Sequence, residues 1–306
     1  MLAAPLLFDS GFLAKLEQLH LLARKLSRGD HHGERRSRQS GSSLEFADYR
    51  NYTRGDDLRS IDWNVYARLD RLFIKLFEKE QDLDVHFLID ASASMRWLPD
   101  GDAPSRSGAV TKFDQARRIA AALSYVALAN LDRVNVVWMG SSLGRDLGLS
   151  RGKSQFHKVL DFLRHAPEFD RGTALLPSLR AFAQRMKRRG LVFLVSDFFD
   201  PAGYEEALSL LRHHQFDVHV VQVLEPAELR PNLASDLRLT ECETGEVFEI
   251  TATPALLARY HEGIDSYLAA FEQFCTRRGI GYVRATTDVP FEDLVLGVLR
   301  AGAMLR

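Results

Sequence analysis

The chain has 306 residues, 46% of them hydrophobic and 26% charged, with a formal net charge of -1. That is the composition of a soluble globular protein with a sizeable core, in one large domain or two ordinary ones. It leaves no global pull toward nucleic acid or membrane, and two distant cysteines, Cys242 and Cys275, argue against a disulfide framework or a thiolate metal site.

Met1 to Phe8 is apolar but lacks the basic lead of a signal peptide, and no run reaches the roughly 18 apolar residues of a membrane span. A cytoplasmic protein is expected. Leu13, Leu16, Leu19, Leu22, Ala23 and Leu26 recur at helical spacing, so Phe12 to Leu26 predicts an amphipathic helix after Ser10. Arg24 to Arg38 is basic, and Ser37 to Ser43 adds serine and glycine; both read as loop, either a solvated linker or a docking surface for an acidic partner.

The stretch from Ser42 to Trp63 mixes charge with aromatics. Arg54-Gly55-Asp56-Asp57 predicts a turn. Two readings stand side by side: a small subdomain pinned by forks from Arg50, Arg54, Arg59 and Arg68 to Asp48, Asp56, Asp57 and Asp62, or a partner-binding surface on Arg54, Asp56, Asp57, Arg59, Asp62 and Trp63. Leu72 to Phe77 alternates like a strand. Residues 1–80 are accordingly expected to form an N-terminal helix and charged subdomain, and 81–306 an α/β domain.

From Val85 onward strands and helices alternate, as in a doubly wound, mostly parallel sheet flanked by helices. Strands are predicted at Val85 to Ile89, Arg133 to Met139, Leu143 to Leu149, Leu191 to Ser196, Asp217 to Leu224 and Gly281 to Ala285. Helices are predicted at Phe113 to Leu131, Ser154 to Leu163, Leu175 to Arg189 with Gly190 as its stop, Tyr204 to His213, Pro254 to Arg278 and Phe291 to Leu299. Leu237 to Ile250 reads as a β-hairpin centred on Glu243-Thr244-Gly245-Glu246.

The chemistry gathers at strand ends. Val85 to Ile89 runs straight into Asp90-Ala91-Ser92-Ala93-Ser94, which places one carboxylate and two hydroxyls on the C-terminal edge of a buried strand. Ligands bind at that edge in open α/β sheets, and such oxygens suit a hard cation. Thr173 offers a hydroxyl on a glycine-containing loop before a helix, and Asp197 ends a second apolar strand. Phe198 and Phe199 follow it, one expected in the core and the other on an apolar rim for a partner.

Asp90, Ser92, Ser94, Thr173 and Asp197, in that order and each on its expected strand or loop, resemble the metal-ion-dependent adhesion site of von Willebrand factor A domains. A more specific block is Tyr49-Arg50-x-Tyr52, Gly55-Asp56-Asp57-x-Arg59-x-Ile61-Asp62-Trp63 and Ala67-Arg68 ahead of Asp90-x-Ser92-x-Ser94-Met95. With Arg38 and Gly41 to Phe46 upstream, it is similar to the bacterial domain of unknown function fifty-eight. That resemblance implies a von Willebrand factor A-like domain acting as an adaptor or chaperone-like partner of a MoxR-type AAA+ ATPase. It implies no known reaction. Many relatives carry transmembrane helices before the domain, and no such helix is expected here.

The expected ion is Mg²⁺, or Mn²⁺, held by Ser92, Ser94 and Thr173. Asp90 and Asp197 would bind waters or hydroxyls, and an acidic side chain of a partner or client would complete the shell. Two enzyme readings are weaker alternatives. Gly148 to Ser154 resembles a phosphate-binding loop with its first glycine one residue late. A metal-dependent hydrolase would draw on His31-His32 or His213-His214, whose adjacent side chains point to different faces.

Overall fold

The structure is a computed structural model that describes residues 7–8, 10–29, 45–53, 56–78, 83–99, 110–167, 172–233 and 235–300. It divides into two units, residues 32–82 and the remainder of the chain.

In the smaller unit β1 (Glu45–Asn51) pairs antiparallel with β2 (Phe73–Glu78), and α2 (Trp63–Leu69) lies between them in sequence. Strand β1 is not foreseen by periodicity, because Glu45-Phe46-Ala47-Asp48-Tyr49-Arg50 lacks a clean apolar alternation. The helix α1 (Ser10–Gly29) belongs with the larger unit rather than with this subdomain. It buries Phe12, Leu16 and Leu19, and Phe12 meets Phe291 at 4.8 Å between rings.

The larger unit is a mixed α/β body with a mostly parallel central sheet. Its strands are β3 (Asp84–Asp90), β4 (Arg133–Met139), β5 (Leu143–Asp146), β6 (Ser150–Arg151), β7 (Leu191–Ser196), β8 (Asp217–Leu224) and, after the separate hairpin of β9 (Ser235–Thr240) and β10 (Val247–Ala252), β11 (Gly281–Thr286). The order is β11-β8-β7-β3-β4-β5, with β6 also paired to β4; all pairs are parallel except those of β5 and β6 with β4.

The helices are α3 (Lys112–Ala129), α4 (Phe156–Arg164), α5 (Leu175–Arg185), α6 (Glu205–His213), α7 (Pro226–Leu229), α8 (Pro254–Arg278) and α9 (Phe291–Arg300). Alternation along the strands sorts them into two layers. Val85, Phe87 and Ile89 of β3 face a core built with α1, α3, α4 and α9, whereas Leu88 faces a second core with α5, α6 and α8. Phe87 stacks on Phe193 of β7 at 5.1 Å, and each such fully buried ring contributes roughly 1.5–3 kcal/mol.

Local signals set the ends. Thr111 and Asp114 form a capping box on α3. Thr253 caps α8, Pro254 opens it and Gly279, at φ 63°, closes it. Helix α5 stops at Arg185, four residues before the expected end, so Gly190 is not its C-cap. Gly190 has another role: a Cβ there would lie 2.2 Å from the Asp84 carbonyl oxygen.

The consequence for function is topological. β3 connects through α3 to β4 on one side, and β7 then enters on its other side. The strand order therefore reverses between β3 and β7, and the crevice beyond their carboxyl ends is where α/β sheets take ligands. Asp90 ends β3, and Asp197 follows β7 directly.

Candidate functional site

Asp90 is wholly buried. One of its oxygens accepts from the Ser92 N–H at 2.9 Å and the other from the Ser196 hydroxyl at 2.6 Å. The first bond folds the Asp-x-Ser-x-Ser loop back over the strand end, and the second ties β3 to β7. The Ser92 and Ser94 hydroxyls then hydrogen-bond to each other, with their oxygens 3.0 Å apart.

Neighbouring contacts bring the other loops to the same rim. Ala91 N donates to Met139 O at 2.7 Å at the end of β4, and Ala174 N donates to the next carbonyl, Gly140 O, at 3.0 Å. Leu175 N donates to Asp200 Oδ2 at 2.7 Å, which ties the Thr173 loop to the loop after β7. The three sequence-predicted segments thus border one another around the ends of β3, β4 and β7.

The sequence anticipates only two of the five charged groups at this rim, Asp90 and Asp197. Lys112, the first residue of α3, is fully buried and donates to Asp197 Oδ2 at 2.8 Å and to Glu228 of α7. Its Nζ also lies 5.8 Å from the Phe199 ring centre. The other Asp197 oxygen accepts from Phe199 N at 3.2 Å. Thr173 donates through its hydroxyl (3.0 Å) and its backbone N–H (3.3 Å) to the two carboxylate oxygens of Glu243, at the tip of the β9–β10 hairpin.

Four carboxyl groups therefore converge with one ammonium, and the electrostatics follow. Burial first, and then the charge of Asp197, push Asp90 up to about 7. Burial alone would lower Lys112, but the carboxylates of Asp197 and Glu228 hold its pKa well above the usual lysine value. Burial also raises Glu228, against the pull of Lys112, and raises Glu243. The rim carries an excess of negative charge that one lysine does not balance.

The donor set fits a small divalent ion. Cis oxygens of an octahedral Mg²⁺ shell with bonds of about 2.1 Å lie about 3.0 Å apart, which is the Ser92–Ser94 spacing. The hydroxyls of Ser92, Ser94 and Thr173 would hold the ion, and Asp90 and Asp197 would act largely through those hydroxyls and waters. Among the described residues, no group of three or more His, Cys, Asp or Glu side chains is placed to hold a metal ion, at this rim or elsewhere, so any ion here would rest on the hydroxyls.

Other expected site residues have different surroundings. Phe198 is buried against Phe271 at 5.0 Å and belongs to the core, despite an unusual backbone φ of 61°. Its neighbour Phe199 is the half-buried one, 5.6 Å from Tyr267. In the smaller unit Asp56 accepts from Thr53 N (2.8 Å), the Thr53 hydroxyl (2.7 Å) and Arg50 (2.8 Å), which lowers it to about 2, with the Thr53 bonds the larger cause.

Asp57 accepts from Arg59 N at 2.9 Å, and Asp62 caps α2 through Asn64 N (2.9 Å) and Val65 N (3.3 Å) while accepting from the Tyr49 hydroxyl. Asp56, Asp57 and Asp62 thus hold turns and caps, and of the expected arginine pairs Arg50–Asp56 is present among the described residues. Trp63 is 61% exposed and Arg59 also faces solvent. Arg54, Gly55 and His31-His32 lie outside the described residues.

The segment resembling a phosphate loop sits at the other end of the strands. Ser150 and Arg151 pair with Val134 and Arg133 at the start of β4, and Lys153 Nζ lies 5.1 Å from the Tyr125 ring centre.

Lys112, Ser196, Glu228 and Glu243 are site residues that the sequence reading misses. For Lys112 a signal exists: a basic residue at the first position of a helix opposes the macrodipole, so it needs nearby acid to be stable there. For Glu243 there is none, since a glutamate in a hairpin turn is ordinary.

Fold and rim together define an α/β protein with a carboxylate-and-hydroxyl site at the switch point of a mostly parallel sheet. The chain belongs to the family described as protein of unknown function DUF58, matched over residues 48–267. The uncharacterized proteins Rv1480 of Mycobacterium tuberculosis (strain H37Rv) and Mb1516 of Mycobacterium bovis are each 25% identical over 252 residues, covering 81% of this chain and 76% of theirs. Among solved structures, it is similar to the conserved hypothetical protein BatB from Bacteroides thetaiotaomicron (TM-score 0.44, 13% identity, 73% of this chain and 98% of that one). It is also similar to an aerotolerance-related membrane protein from Bacteroides fragilis (TM-score 0.45, 13% identity, 72% and 100%). No helix among the described residues is long and apolar enough to cross a membrane.

Proposed function

We infer that this chain is a metal-dependent protein-binding module of the von Willebrand factor A type. Its Ser92, Ser94 and Thr173 hydroxyls would hold Mg²⁺ or Mn²⁺, with Asp90 and Asp197 behind them. The observation that carries this reading is the Ser92–Ser94 pair, fixed by Asp90 at octahedral spacing on the switch-point edge. An ion held mainly by neutral oxygens keeps most of its charge and attracts an acidic side chain of another protein.

The AAA+ ATPase partner of MoxR type, and an adaptor or chaperone-like role beside it, are supported by the resemblance of the Gly55 to Trp63 block. The solvent-facing Asp57, Leu58, Arg59 and Trp63 are residues of that block available to such a partner. The test is a pull-down with purified chain in Mg²⁺, in EDTA, and with Ser94→Ala. Capture of an ATPase in Mg²⁺ alone supports the reading; equal capture in all three ends it.

One observation favours a second reading. Lys112 already pairs with Asp197 and Glu228 from within the fold, and the net negative charge left on the rim would, without an ion, favour a basic side chain of a partner. Metal-independent capture in that pull-down would select this alternative.

A further inference from the structure

The β9–β10 hairpin is tied to the sheet body at its tip. Residues 241–246 connect two strands whose side chains are mostly exposed, and an isolated two-stranded hairpin has little stability of its own. Yet its Glu243 reaches the Thr173 loop, with both carboxylate oxygens engaged by that one residue. The turn is stiffened for the purpose: Glu241 accepts from Glu243 N at 3.0 Å and from Thr244 N, and Gly245 N donates to the Glu241 carbonyl at 2.9 Å.

We propose that Glu243 is a carboxylate ligand of the cation held by Ser92, Ser94 and Thr173. The chain thereby fills, with its own hairpin, the position that an acidic side chain of a partner would take. This rests on the metal-dependent reading above. The geometry has a chemical logic. The Thr173 hydroxyl spends its proton on Glu243, which leaves its oxygen lone pairs for the ion. The 3.0 Å between the Thr173 hydroxyl oxygen and Glu243 Oε1 is also the spacing of two cis oxygens on one octahedral ion. It also supplies charge that three neutral hydroxyls lack, so the resting site would be closed and a partner would have to displace the hairpin tip.

The experiment titrates the full purified chain with Mn²⁺ alone and follows affinity by electron paramagnetic resonance and bound-water number by proton relaxation. Glu243→Gln keeps an oxygen to accept from Thr173 but removes the charge. Expected are a Kd at least tenfold weaker than wild type and about one more exchangeable water on the bound ion. Glu243→Asp, one methylene shorter, should fall between the two, and metal-free thermal melts of all three should coincide. If wild type binds Mn²⁺ and Glu243→Gln binds with the same Kd and water number, Glu243 is only a loop tie and the proposal fails alone. If wild type binds no Mn²⁺, the metal-dependent reading fails with it.

Discussion

Lys112 Nζ lies 2.8 Å from Asp197 Oδ2 with both side chains wholly excluded from solvent. The pair joins the start of α3 to the end of β7, 85 residues apart, at the carboxyl edge of the sheet where Asp90 also lies. A buried pair of this kind is weak evidence of net stabilisation, but breaking one side of it is costly.

Lys112→Met should therefore lower stability by about 3–5 kcal/mol, since Asp197 and Glu228 both lose their counter-charge. Urea denaturation would read this. Adding Asp197→Asn to Lys112→Met should cost less than the two single changes summed, by about 0.5–3 kcal/mol of coupling. Strict additivity would show that the pair is not coupled.

The candidate ion site predicts a ligand-linked melt. Mg²⁺ at about a hundred times its Kd should add roughly 2.7 kcal/mol to wild-type stability. Ser92→Ala with Ser94→Ala should remove that increment and lower the metal-free stability by about 1–3 kcal/mol, because the buried Ser92 hydroxyl bonds Ser94 and Asp90. Differential scanning calorimetry in Mg²⁺ and in EDTA checks both parts. An Mg²⁺-induced rise retained in the double variant would place the ion elsewhere.

His86 makes stability pH-dependent in a separate place. It stands in β3 against Phe182 (5.2 Å) and Phe216 (6.4 Å), and neither ring nitrogen has a hydrogen-bond partner among the described residues. Burial, and then the charge of Arg133, lower it to about 4. The folded state thus binds its proton less readily than the unfolded chain. This contribution is complete above about pH 6.5 and is lost as pH falls toward 4, at most about 3 kcal/mol. His86→Phe should flatten that part of the stability profile. An unchanged slope between pH 6.5 and 4 would assign the titration to other groups.

Two glycines should respond in opposite directions. Gly190→Ala places a methyl 2.2 Å from the Asp84 carbonyl oxygen, backbone that cannot give way, so a loss of about 1–3 kcal/mol is expected. A methyl added at Gly263, in the middle of α8, would meet open space; Gly263→Ala should gain about 1 kcal/mol from helix propensity. Thermal denaturation separates the two, and a stabilised Gly190→Ala would contradict the close approach of β3 to the β7 connection.

The long apolar runs of β3, β7 and β8 are legible because a strand buried on both faces needs a continuous hydrophobic stretch, and Leu191–Ser196 and Asp217–Leu224 end where the pattern ends. The same is true of α8, whose Pro254 and Gly279 mark it locally. β1 is not legible, since its pairing with β2 rather than its own pattern makes it a strand. The expected length of α5 overshoots because nothing in Met186 to Arg189 breaks a helix by propensity; the chain leaves the helix to start β7 in register with β3.

By itself, the sequence determined that Asp90, Ser92, Ser94, Thr173 and Asp197 would lie at strand ends and on a loop before a helix, because short-range periodicity and capping fix where elements stop. Only the tertiary structure decided which charges would meet them. Lys112 lies 85 residues from Asp197 and 116 from Glu228, and Glu243 lies 70 from Thr173. Electrostatic attraction and desolvation act through space, and no local pattern in the chain records which distant side chain a fold will bring to a given carboxylate.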